Sequence, residues 1–192
     1  MDVIQHIYLQ PVNLISSTNI NNLLLQLTHY NSSFKKQKHP ITVICDNVTN
    51  APNIGSLFRI ADAFGIEQLI FCGSDIPLGK RMTKTSRSTE KYVNHSVEED
   101  IESKIEILKA SGFYLIALEI TEKSQSLSEF KLQTNQPIAL ILGDENFGIS
   151  DTILNQADAI IHINMYGNNS SMNVVQATGI ALYEITKQLN AD

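Results

Sequence analysis

The sequence has no apolar run long enough to cross a membrane. Its longest runs, such as Ala139–Leu142 and Ala159–Ile161, are strand-sized, whereas a spanning helix needs about 20 apolar residues. The start, MDVIQHIYLQPVN, lacks the basic stretch, apolar centre and small-residue cleavage site of a secretory leader, so a cytoplasmic location is expected. Cysteine is scarce. The two present, Cys45 and Cys72, sit in apolar strand-like runs without metal-ligand spacing; this predicts buried free thiols in a reducing compartment and no bound metal. Basic residues are outnumbered 14 to 20, for a net charge of −6, which taken alone argues against a nucleic-acid partner. No G-x-G-x-x-G follows a strand-like run. GSDIPLGKR, Gly73 to Arg81, has five residues between its glycines, where a P-loop needs four, and Arg81 stands where a Ser or Thr would hold magnesium. A P-loop NTPase and a typical dinucleotide enzyme are set aside.

What remains is a soluble globular composition, 43% hydrophobic and 18% charged over 192 residues. There is no internal repeat, low-complexity tract or linker, so one domain is expected over 1–192, with a short extension (1–40) ahead of a core (41–192). A helical pattern over Asn19–Tyr30 precedes a strand, ITVICD, from Ile41. A helix over Ile54–Phe64 closes at Gly65. The strand EQLIFCG leads through a basic loop to a weaker strand, KYVNHSV. EEDIESKIEILKASG places Ile101, Ile105 and Leu108 on one stripe of a helix closed by Gly112. The strands FYLIALEI and PIALILG, a short helix over Thr152–Gln156, the strand DAIIHIN and a helix over Met172–Leu189 complete the chain. This alternation predicts an α/β fold, a mostly parallel sheet with helices on both faces.

The charges are unevenly placed. Lys35, Lys36, Lys38 and His39 form one basic cluster. Another runs from Lys80 through Arg81, Lys84, Arg87 and Lys91 to His95, with Glu90 its only acid, while many acids gather at Glu98–Glu106. Each cluster reads either as a solvated face or as a phosphate-tracking patch on an acidic body.

Ligands of parallel sheets sit beyond the carboxyl ends of strands, and three loops there are rich. In DNVTNAPNIGSLFRIADAFGI, Pro52 suits a first helical turn, Asn53 and Arg59 are six positions apart, and Gly55 and Ser56 permit close backbone approach. Structurally, Asn53 reads as a turn or cap and Arg59 as a surface cation. LILGDENFGIS holds Glu145 between two glycines, and reads otherwise as a turn with Ser150 as helix cap. HINMYGNNSSMNVVQAT carries Gly167 and then Asn168, Asn169, Ser170 and Ser171 between two buried-looking elements, with Asn173 in the first helical turn. A simple turn needs far less polarity; a helix entry capped by Ser170 or Ser171 is its structural reading.

Taken in order, NIGSLFR, LGDENFG and INMYGNNSSMN resemble the three motifs of the TrmH/SpoU group of the SPOUT superfamily, RNA ribose 2′-O-methyltransferases that use S-adenosylmethionine. The motifs span residues 46 to 184. Asn164 stands where that family usually has Pro, Asp144 where Asn is common, and Met172 where Leu is usual. The resemblance implies a deep C-terminal trefoil knot, a rare exception to unknotted folds, whose loops hold the methyl donor. It implies that backbone groups around Leu142, Gly143, Ile163 and Met165 bond the adenine and ribose. Met172 would then pack on the adenine, and Ser171 would orient the ribose or donor.

The resemblance also implies a catalytic set of Asn53, Arg59, Glu145, Ser171 and Asn173. Asn53 would position Arg59 or the nucleotide, and Glu145 would anchor the site or steer Arg59. None of the five histidines belongs to a motif core, which removes the easiest base. Arg59 is the family's catalytic group, yet a guanidinium stays protonated at neutral pH, so a base and an electrostatic helper both remain open. Further implied are a homodimer whose sites are completed by the partner and RNA contacts through Lys80, Arg81, Lys84, Arg87 and Lys91, with Lys35–His39 a further candidate. The last helix, with Val175, Ile180 and Leu189, would serve core and dimer interface. The extension is too short for an added RNA-binding domain, which favours tRNA, at a guanosine, over rRNA. The rival readings are a non-catalytic RNA-binding dimer of the same fold and an α/β nucleotide-binding enzyme of unrelated chemistry.

Overall fold

A computed structural model of the chain describes residues 34–144 and 146–191. The chain divides into two compact units, Met1–Lys35 and Lys36–Asp192, and the fold set out here is that of the second. The helical pattern expected over Asn19–Tyr30 and the candidate Glu145 lie outside the described residues.

The elements run β1 (His39–Asp46), α1 (Ala51–Ala63), β2 (Ile66–Cys72), α2 (Lys80–Ser86), β3 (His95–Glu98), α3 (Ile101–Ala110) and β4 (Tyr114–Leu118). They continue β5 (Gln125–Ser126), β6 (Ile138–Leu142), α4 (Asp151–Leu154), β7 (Ala159–His162) and α5 (Val174–Leu189), with one 3-10 turn, Thr89–Lys91, ahead of β3. The strands form a seven-stranded sheet of order β3-β2-β1-β6-β4-β7-β5, parallel at every pairing.

A parallel sheet covered on both faces buries both sides of its strands, so inner strands read as unbroken apolar runs. β6, IALIL, is buried at all five positions. Alternate side chains enter two layers. Val43, Cys45, Leu140 and Leu142 pack with Leu57 and Phe58 of α1 and with Leu182 and Ile185 of α5. Ile44, Ala139 and Ile141 pack with Ile105 and Leu108 of α3 and Ile153 of α4. Helices therefore lie on both faces, as expected. Cys45 and Cys72 are buried free thiols in opposite layers; burial pushes both pKa values up, that of Cys72 to about 12.

Local chemistry sets the helix ends. The Asn50 side chain accepts from Asn53 N at 3.1 Å, and Pro52 falls in the first turn of α1. Gly65 follows that helix at φ +60°, a conformation that favours glycine. Asp100 caps α3, accepting from Glu102 N at 3.0 Å and Ser103 N at 3.3 Å. Such caps contribute about 1 kcal/mol each.

Two expectations are corrected. The basic stretch after β2 is not a loop: it contains α2, and KYVNHSV is strand only from His95. α2, KRMTKTS, offers a single large apolar residue, Met82, which is buried, too little for a periodic signal. The final helix begins at Val174, with Asn173 as its N-cap, so Asn173 precedes the first turn and neither Ser170 nor Ser171 caps it. The close backbone approach expected at Gly55 is that of α2: a Cβ there would lie 2.9 Å from Ser86 N and closer still to Met82 O.

Candidate active site

The loops after β1, β4, β6 and β7 leave the same edge of the sheet, where the chain's direction of travel reverses between β1 and β6. Such a switch opens a crevice beyond the strand ends. Here it is a cleft of about 790 Å³. Leu142 and Gly143 line it from the end of β6 and the turn after it, Ile163 and Met165 from the chain beyond β7, and Ser171 and Met172 from the run into α5. All six residues expected to contact the donor thus share one cleft, which Asn53 and Asn173 also line. The Asn173 side chain accepts from Val175 N at 3.0 Å while its Nδ2 donates to Asn53 Oδ1 at 3.2 Å. One amide therefore caps α5 and ties it to the first turn of α1.

The turn after β6 is braced from three sides. Asp144 and Gly148 exchange backbone hydrogen bonds of 3.2 and 2.9 Å. Asp144 Oδ1 accepts from Asn146 N at 2.7 Å and Phe147 N at 2.9 Å, and Oδ2 accepts from Asn47 Nδ2 at 3.1 Å. Glu119, at the exit of β4, accepts from Ile120 N at 2.9 Å and Ile149 N at 3.0 Å. Of the two glycines of LGDENFG, Gly143 is required by space, since a Cβ there would lie 2.7 Å from Gly148 O. Gly148 sits at φ +68°, a conformation that favours glycine, with Glu119 Oε2 2.5 Å from where its Cβ would be. Sequence reasoning passed over Glu119, which lines the cleft; its only signal was a carboxylate directly after an apolar strand.

Among the described residues, no backbone hydrogen bond outside the helices and strands involves Ile163 or Met165. Polar backbone at a half-buried wall needs a partner, so these groups suit the edges of a bound nucleoside. Asp46, at the end of β1, has its pKa raised by burial first and by the Asp144 charge second.

Histidine was set aside in the sequence, yet His162 lines the cleft. Its Nδ1 lies 2.9 Å from Ser124 Oγ and its Nε2 lies 3.1 Å from Asn164 Oδ1. Both ring nitrogens are thus engaged. Arg59 lies on α1, exposed and outside the cleft lining. At 1.5 Å per residue it is roughly 9 Å along the helix from Asn53 and roughly 120° round it. Beside it, Ile60, Met172, Val175, Gly179, Ile180 and Tyr183 form an apolar hollow of about 650 Å³. Met172 lines both hollow and cleft.

The cations Lys80, Arg81, Lys84, Arg87 and Lys91 are all exposed. The other basic cluster shrinks: His39 is buried, with Nδ1 2.8 Å from Phe64 O, and Lys38 Nζ donates to Ile66 O at 3.2 Å. Among the described residues no helix is long and apolar enough to cross a membrane, and no cluster of His, Cys, Asp and Glu suits a metal.

The SpoU rRNA Methylase family model matches residues 40–183. The chain belongs to this family. SpoU proteins are RNA methyltransferases, and the motif resemblance read from the sequence holds. This SpoU chain is 30% identical over 154 residues to the tRNA (guanosine(18)-2′-O)-methyltransferase of Aquifex aeolicus, covering 80% of this chain and 72% of that one. It is 31% identical over 159 residues to a tRNA/rRNA methyltransferase of Borreliella burgdorferi, covering 82% and 68%. The crystal structure of the A. aeolicus TrmH/SpoU tRNA modifying enzyme matches with a TM-score of 0.72 at 31% identity, over 80% of this chain and 77% of that one. The AdoMet-bound rRNA methyltransferase of Sinorhizobium meliloti shares the fold with a TM-score of 0.73 at 24% identity, over 82% and 60%.

Proposed function

We propose that this protein methylates a ribose 2′-oxygen of RNA, with a tRNA guanosine as the favoured target and rRNA as the alternative. The observation that carries this reading is the convergence of Leu142, Gly143, Ile163, Met165, Ser171 and Met172 on one cleft. Its volume of about 790 Å³ falls within the range of small-molecule sites. When bound, S-adenosylmethionine supplies an electrophilic methyl group, so the protein's task is alignment and charge stabilisation.

Backbone groups around Gly143, Ile163 and Met165 bond the nucleoside edges, and Met172 packs against the ring. The Asn53–Asn173 pair presents polar groups to the nucleotide that receives the methyl group. The Arg59 guanidinium binds the target phosphate and stabilises negative charge on the 2′-oxygen as its proton passes to water. Glu145 would anchor the site electrostatically or steer Arg59. Because Arg59 lies off the cleft of its own chain, the site is completed by a second copy. The apolar hollow beside Arg59 supports such a dimer, since Met172 joins that surface to the cleft. The Lys80–Lys91 cations track the RNA backbone. The meeting of the turn after β6, the 162–173 run and the start of α5 in one cleft supports the knot implied by the motifs.

Transfer of labelled methyl from S-adenosylmethionine to tRNA and rRNA of cells lacking this gene tests the reading, with Arg59→Ala alongside. Label in the ribose of one fraction, lost in the variant, is expected. Donor binding with no transfer to either fraction would instead establish a non-catalytic RNA-binding dimer.

A further inference from the structure

β7 ends at His162, and beyond it the chain leaves the sheet while still forming the cleft wall through Ile163 and Met165. The last ladder contact to β5 is the pairing of Ser126 with His162, followed by Leu127 N donating to His162 O at 2.8 Å. What holds the wall after that point is a chain of side chains. Asn164 Nδ2 donates to Ser126 Oγ at 2.9 Å, and Asn164 Oδ1 lies 3.1 Å from His162 Nε2. Ser126 Oγ in turn lies 2.8 Å from Ser128 Oγ.

On its other side the ring lies 2.9 Å from Ser124 Oγ, which is itself 2.7 Å from Thr121 O and 2.9 Å from Thr121 N. His162 is thus held between the Thr121–Ser124 turn and Asn164. Asparagine carries a donor and an acceptor on one planar group, and so closes the link to both His162 and Ser126.

We propose that Asn164 is a positioning residue for the methyl donor, clasping the unpaired wall Ile163–Met165 to β5 through Ser126 and His162. The proposal rests on the cleft being the donor site.

The test measures S-adenosylmethionine affinity by calorimetry, and methyl transfer, for the full chain. Asn164→Ala is expected to weaken donor binding about fivefold, the worth of one net hydrogen bond, and to leave kcat unchanged at saturating donor. Ser126→Ala breaks the same link from the other end, so the double variant should bind no worse than the weaker single one. Unchanged affinity in Asn164→Ala, or additive losses in the double variant, would each overturn the clasp. If Asn164→Ala fails to fold, the Ser126→Ala result decides alone. Wild-type protein that binds no donor would overturn the reading of the cleft, and this inference with it.

Discussion

Substitution of Gly143 by alanine probes the tightest point of the site. The added Cβ would meet only backbone: Gly148 O and Ile149 N, both at 2.7 Å, and Gly148 C closer still. No flexible side chain can yield, so the turn must open. Its φ is not in the left-handed region, so the penalty is steric. Overpacking of this kind costs about 1–3 kcal/mol. Opening the turn also strains the Asp144–Gly148 pair and the Glu119–Ile149 bond, worth about 1 kcal/mol each. The expected loss is about 2–4 kcal/mol, a large part of a typical domain's stability of roughly 5–15 kcal/mol. Urea unfolding followed by circular dichroism measures it, since the chain has no tryptophan. Gly167→Ala is the control, because nothing lies within 4 Å of a Cβ there, and it should be close to neutral. A Gly143→Ala protein as stable as the control would refute the steric argument and the placement of the turn against the cleft.

Other substitutions separate the remaining roles. Asn173→Ala should lose about 1 kcal/mol of helix capping as well as activity. Asn173→Ser keeps a capping oxygen and should recover stability in melts without recovering methyl transfer; recovery of both would show that the bond to Asn53 is dispensable. Asp46 has a folded-state pKa raised above 3.8, so the unfolded chain ionises first and stability is lost as pH rises through that window. Asp46→Asn should therefore be the more stable protein at neutral pH in unfolding titrations, with the gap closing near pH 3.8 and below; a constant gap would point to another cause. Replacing Lys80, Arg81 and Lys84 together by alanine should reduce the slope of log binding constant against log salt by roughly 2. An unchanged slope would place the RNA elsewhere.

The sheet was legible because its inner strands are doubly buried and so carry unbroken apolar runs. The three loops were legible because their glycines and amides answer to fixed spatial demands, as Gly143 and Asn173 illustrate. α2 was hidden for lack of periodicity, since Met82 alone anchors it. β5 is two residues long, too short to alternate. Glu119 and Asn164 act on backbone and side chains 30 and 38 positions away, and no local pattern marks such partners. Arg59 shows the converse. Its spacing from Asn53 matched the motif, but a six-residue step on a helix turns it away from the cleft that the motif serves.

The seat of α2 on Gly55 has a mechanical consequence. Where two helices meet this closely, with only backbone and the short Thr85 side chain at the contact, little can absorb displacement, and packed interiors transmit strain. The helix bearing Lys80, Arg81 and Lys84 and the one bearing Asn53 and Arg59 are therefore expected to move together. If the first of them grips RNA as proposed, a poor fit far from the ribose would be felt as lost alignment at it.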